Sequence, residues 1–132
     1  MTTAFNVAVI NGEASQVYPG TPVTIVSALT VKRSSSANAG LTGAGGIVWS
    51  GNGPTLGMLM RAGGALELPA ATWDLVTGDV GGLIPGVLYY LGTTPGTLAT
   101  APPTQGGSFV TVIGRALSPT ALLIEIGVPV LL

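Results

Sequence analysis

Glu67, Asp74 and Asp79 lie close together in the chain and are its best-placed groups for acid–base chemistry. Two carboxylates flanking a bond act as proton donor and nucleophile in glycoside hydrolysis, and oxygen ligands of this type hold calcium. The context argues otherwise. All three sit among glycine- and proline-rich turns, where carboxylates cap turns or face solvent. The alternating acidic loop of a calcium site is missing. The chain has no histidine and no cysteine. That removes the usual general base, the commonest metal ligand, the thiolate nucleophile and any zinc–sulfur site. Serines are plentiful, but none has a histidine to activate it, and no G-x-S-x-G elbow occurs. The run "GNGPTLG" at 51–57 spaces its glycines as G-x-G-x-x-x-G, with no lysine or helix former in the right place. It reads as a hairpin turn rather than a phosphate loop, and Pro54 bars it from a central ladder position. No catalytic residue, metal ligand or cofactor site is expected, and the chain reads as a non-enzyme.

Binding chemistry has two other sources. Tyr18, Trp49, Trp73, Tyr89 and Tyr90 could stack on sugar rings. Large aromatics set among alternating apolar residues are more often core, and at least one of Tyr89 and Tyr90 should then carry its hydroxyl to a rim or to backbone. The second source is the ends of the sequence. "IGVPVLL" at 126–132 is apolar throughout, and residues 3–10 share that character. Terminal segments are ordinarily polar and frayed. Phe5, Val7 and Val9, with Val128, Val130, Leu131 and Leu132, are therefore the candidate interface residues. Two readings stay open for residues 1–10: an extended arm that adds to a neighbouring subunit, or a strand of the chain's own sheet. The basic residues Lys32, Arg33, Arg61 and Arg115 form no patch able to neutralise a run of phosphates, so nucleic acid is not an expected partner.

The elements that position these residues are strands. Turn signals such as "NGE", "YPGTP", "GNGP", "GDVGG" and "TTPG" recur along the 132 residues, with segments of about 5 to 12 residues between them. Segments with strand character lie at 5–10, 22–31, 46–49, 56–60 and 65–68, and the clearest are 87–91, 109–112 and 122–126, each β-branched or aromatic and bounded by turns. The segment 22–31 reads as one strand with Val23, Ile25, Ser27, Leu29 and Val31 on one face, and 87–91 as a strand buried on both faces. Residues 34–46, "SSSANAGLTGAGG", read as a flexible loop. Residues 70–76 are the one helical candidate and are short enough that a turn or 3₁₀ piece is expected. The expectation is a single all-β domain over 1–132, a small β-barrel or sandwich with short turns and at most one short helix.

Charge is scarce. Charged residues make up 7% of the chain, hydrophobic residues 47%, and the net charge is −1. Soluble domains average about 25% charged residues, so much of this surface is expected to be covered by other subunits. The uncharged stretches 34–60 and 80–114 are broken too often by glycine and proline to span a bilayer as helices. The opening "MTTAFNVAV" lacks the basic start of a secretory signal. A soluble protein made in a cytoplasm, with no membrane partner, is the expectation.

The stretch 81–103, "GGLIPGVLYYLGTTPGTLATAPP", followed at 110–126 by "VTVIGRALSPTALLIEI", resembles a module recurrent in structural proteins of tailed bacteriophages. The resemblance rests on "YYL" at 89–91, a PG-x-L hairpin at 95–98 and the pair Pro102 and Pro103. It continues through "IGRAL" at 113–117, where the module has VG-x-AL, and a closing apolar strand at 122–126. Upstream, 30–51 and 57–68 look like small β-barrel capsid decoration (cement) proteins. The resemblance implies a virion protein, made in the host cytoplasm, that binds the major capsid protein at the capsid surface as a homo-oligomer, a trimer by the family's habit. Such modules also end tail-fibre chains, so a fibre-associated or receptor-binding protein holding host surface glycans is the alternative. Fibre chains usually carry long repetitive segments, and none is visible here, which favours decoration.

Overall fold

The computed structural model describes residues 6–132; Phe5 lies outside them. Alternation over the first strand, β1 (Asn6–Asn11), buries Val9 and Asn11 and leaves Asn6, Ala8 and Ile10 exposed. Four more strands complete a closed barrel: β2 (Pro22–Ser27), β3 (Thr30–Arg33), β4 (Gly46–Ser50) and β5 (Gly57–Arg61), in the order β1-β3-β2-β4-β5. β1 runs antiparallel to β5 from Asn6↔Arg61 to Ile10↔Gly57 and parallel to β3 at Ile10↔Thr30 and Asn11↔Val31. Of the two readings for 1–10, residues 6–10 therefore form a strand of the chain's own barrel.

The rest of the chain forms β6 (Gly64–Glu67), helix α1 (Ala70–Thr77), β7 (Leu88–Leu91), β8 (Leu98–Ala99), β9 (Phe109–Val110), β10 (Val112–Ala116), β11 (Ala121–Ile124) and β12 (Val130–Leu131). Five of these strands make a sheet ordered β6-β11-β10-β7-β8, and β12 pairs with β9 in a separate two-stranded ribbon. The fold is all-β, with a small barrel and one short α-helix, as the turn spacing predicts.

Two cores result. Val9, Val17, Val23, Val31, Val48, Met58 and Met60 fill the barrel. Leu66, Trp73, Tyr89, Leu91, Ile113 and Leu122 centre the second core, under α1 and the five-stranded sheet. Strand β4 joins them. Successive strand residues face opposite ways, so Val48 enters the barrel while Ile47 enters the second core, both with no exposed surface.

Four local expectations are corrected. The segment 22–31 is a hairpin, because Ala28 and Leu29 take φ of 29° and 66° and reverse the chain between β2 and β3. Residues 70–77 are a full α-helix rather than a turn. Burial of Trp73 and Val76 offsets the shortness, and Gly78, at φ 76°, closes the helix by donating its N–H to the Asp74 carbonyl. The serine-rich stretch is packed, not a free loop: Ser34, Ser35, Ser36 and Thr42 are buried. The Ser34 hydroxyl meets that of Thr24 at 2.6 Å, Ser35 Oγ donates to the Thr93 carbonyl at 2.8 Å, and Thr111 Oγ1 donates to the Thr42 carbonyl at 3.0 Å. Hydroxyls that find such partners can be buried as they pack, whereas the Ser36 hydroxyl is buried with no hydrogen-bond partner among the described residues. Finally, β7 is buried on one face only: Tyr89 and Leu91 are enclosed, while Leu88 and Tyr90 are half-buried.

Candidate functional site

The carboxylates do not converge on a common site. Asp74 caps the turn after α1, where Oδ1 accepts from the Gly82 N–H at 2.8 Å and Oδ2 from the Gly81 N–H at 3.3 Å. Glu67 Oε1 accepts from the Thr120 hydroxyl at 3.2 Å, and Asp79 is exposed. Glu13 serves the barrel, its Oε2 accepting from the Arg33 N–H at 2.7 Å and its Oε1 lying 3.6 Å from the Arg33 guanidinium. Among the described residues no cluster of three or more His, Cys, Asp or Glu is placed to hold a metal ion. Residues 51–57 form the β4–β5 connection, a hairpin turn as read, in which Asn52 Nδ2 donates to the Gly57 carbonyl.

The aromatics divide between core and surface. Trp73 is fully buried, its Nε1–H donating to the Thr120 carbonyl at 2.8 Å. Tyr89 is also buried, and its hydroxyl accepts from the Ile84 N–H at 2.9 Å, the backbone partner expected of one of the two adjacent tyrosines. Trp49 is different. It is the extra residue of a β-bulge, between the pairs Val48↔Met60 and Ser50↔Leu59. Bulges re-aim side chains, and here the indole is left 39% exposed with the Arg61 guanidinium 5.5 Å from its centroid. Arg61 is itself held by Asn6 Oδ1 and the Ala65 carbonyl.

The predicted interface residues also divide. Val9 lies in the barrel core and Val7 packs against it, so neither is available as adhesive surface in this fold. A strand with one face on the core must turn one residue set inward, and in β1 that set includes both valines. The other end of the chain is open. Val128 is 83% exposed, Val130 60%, Leu131 61% and Leu132 48%. Both faces of β12 therefore meet solvent.

A second apolar surface was not anticipated. Ile10, Ile25, Val26 and Leu29 are all exposed around the β2–β3 hairpin tip, with Leu56 on the nearby β4–β5 turn. Beside the tip lies a groove of about 330 Å³ lined by residues that include Ala8, Ile10, Leu29, Gly57 and Met58. The sequence signal for it was the apolar content of 22–31. Reading that segment as one strand left no reason to place half of it outside a core.

Among the described residues, no helix is long and apolar enough to cross a membrane. No family model, curated protein or solved structure matches this chain.

Proposed function

We propose that this chain is a virion structural protein, a decoration (cement) protein that binds and stabilises a phage capsid lattice without enzymatic activity. The observation that carries the reading is the apolar ribbon at 128–132, exposed on both faces beside a well-filled double core. Monomeric proteins rarely expose contiguous apolar surface on this scale, and where they do it marks an interaction site. The phage resemblance of 81–126 supplies the kind of assembly, and the scarcity of charge fits a surface meant to be covered. In this reading the partners are the major capsid protein and other copies of the chain, as a homotrimer. Each oligomer touches several capsid subunits at once, so weak individual contacts combine into a durable hold.

Copy number tests it. Quantitative mass spectrometry of purified particles should find the protein at an abundance comparable to the major capsid protein. A handful of copies would move it to the tail or fibre, and absence from particles would sink the virion role.

The alternative, a fibre-associated receptor-binding protein, has one observation in its favour: Trp49, held outward under Arg61. Because Trp73 is fully buried, a glycan-induced shift in tryptophan emission would report on Trp49. A shift abolished in Trp49→Phe would promote this reading, and unchanged emission across host surface glycans would remove it.

A further inference from the structure

The sequence contains Asn-Gly twice, at Asn11–Gly12 and at Asn52–Gly53. Asparagine is a chemically labile residue. Its side-chain carbonyl carbon is open to attack by the backbone nitrogen of the next residue, and glycine, with no Cβ, hinders that approach least. The fold treats the two pairs in opposite ways. Asn11, at the end of β1, is 1% exposed. Its Oδ1 accepts from the Glu13 N–H at 2.8 Å, and its Nδ2 donates to the Ser15 and Asn52 carbonyls, each at 3.0 Å. The Gly12 N–H is committed to the Val31 carbonyl at 2.8 Å. Attack by Gly12 would have to break these bonds inside a buried site.

Asn52 stands exposed on the β4–β5 turn. Its Nδ2 donates to the Gly57 carbonyl at 3.2 Å, which folds the side chain back over the turn. Its Oδ1 accepts from the Gly53 N–H at 2.8 Å, and among the described residues that N–H has no backbone acceptor. Since a carbonyl bond is about 1.2 Å long, Cγ of Asn52 lies within about 4 Å of the Gly53 nitrogen. The space around Gly53 is open: a Cβ built there would meet only Leu56 Cδ1, at 3.8 Å.

We propose that Asn52 is a site of spontaneous covalent modification, converting through a succinimide to aspartate and isoaspartate, while the fold protects Asn11. The Gly53 amide gives up its proton to water, and its nitrogen forms a bond to Cγ of Asn52. The bond from Cγ to Nδ2 breaks, and Nδ2 takes a proton from water and leaves as ammonia. Water then adds to one of the two ring carbonyls. Opening at Cγ yields aspartate. Opening at the backbone carbonyl carbon yields isoaspartate, in which the chain runs through Cβ and Cγ. Water is the sole co-reactant, and nothing is oxidised or reduced. Either product adds a negative charge to a chain whose net charge is −1 and removes the donor that Asn52 offers to the Gly57 carbonyl. Isoaspartate also lengthens the backbone beside the bridge between Val17 and Asn52. The conversion thus loosens the turn that carries Leu56. It needs no partner and is independent of the assembly reading above.

The test incubates the full chain in mildly alkaline buffer, which favours loss of the Gly53 amide proton, beside a sample held unfolded in guanidinium chloride. Trypsin, cutting after Lys32 and Arg61, places the two Asn-Gly pairs on different peptides. Mass spectrometry with fragmentation that separates aspartate from isoaspartate then locates the change. In the folded protein the peptide holding Asn52 should gain the mass difference between an acid and its amide, while the peptide holding Asn11 stays unchanged. In guanidinium chloride both should convert. Gly53→Ala, which the open space admits, should keep the far-ultraviolet circular dichroism of the original chain and slow the conversion of Asn52 severalfold. An Asn52 that stays intact in the folded protein but converts when unfolded would overturn the proposal. So would an Asn11 that converts as fast as Asn52 in the folded protein, or a Gly53→Ala variant that converts at the original rate.

Discussion

Ala28 and Leu29 adopt φ of 29° and 66°, a region that costs residues other than glycine, asparagine and aspartate about 1 kcal/mol or more. Two-residue hairpin loops with positive φ at both positions match the right-handed twist of the strands they join, which is why asparagine–glycine usually fills them. Here the strain is tolerated because β3 is held on both sides, by β2 and by β1. Replacing the pair by asparagine and glycine, Ala28→Asn together with Leu29→Gly, should raise the unfolding free energy by about 1 kcal/mol in urea titration. An unchanged or lower midpoint would mean that Leu29 contributes packing within the single chain that its 51% exposure does not suggest.

The elements show how closely backbone is packed against backbone. At the irregularity where β10 meets β7, Gly114 lies against β11, and a Cβ there would stand 2.1 Å from the Leu123 carbonyl oxygen. A backbone atom inside a ladder cannot swing aside as a flexible side chain can. Gly114→Ala should therefore cost more than about 2 kcal/mol, seen as a lower urea midpoint with an unchanged slope. A variant of native stability would show that β10 and β11 can part without loss. At the same scale, α1 shows tertiary burial overriding local propensity. Eight residues do not sustain a helix alone, but Trp73 and Val76 anchor this one in the second core.

At the scale of the whole molecule, two cores sharing β4 hold a surface poor in charge. Adhesion through apolar residues at 128–132 and around the hairpin should be nearly independent of ionic strength, since added salt screens exposed charges and leaves apolar burial in place. Raising salt to about 0.5 M should not release the protein from particles. Release under otherwise gentle conditions would mean that the contact is built from charges, with Lys32 and Arg115 as exposed cations to examine first.

The residues by themselves determined what is local. Frequent glycine and proline turns dictated short strands and hence an all-β fold, and the adjacent tyrosines and turn-flanked Asp74 pointed to the backbone partners that Tyr89 and Asp74 find. The apolar character of 128–132 was likewise plain. Only tertiary structure decided which apolar residues would be covered. Val9 and Val130 look alike in sequence, but one closes a barrel against Met58 and the other sits on a ribbon with nothing over it. The hairpin at Ala28, the helix at Trp73 and the buried serines at 34–36 were hidden for the same reason. Each is stabilised by contacts with residues distant in the chain, and those contacts outweigh local preferences that are individually worth less than about 1 kcal/mol.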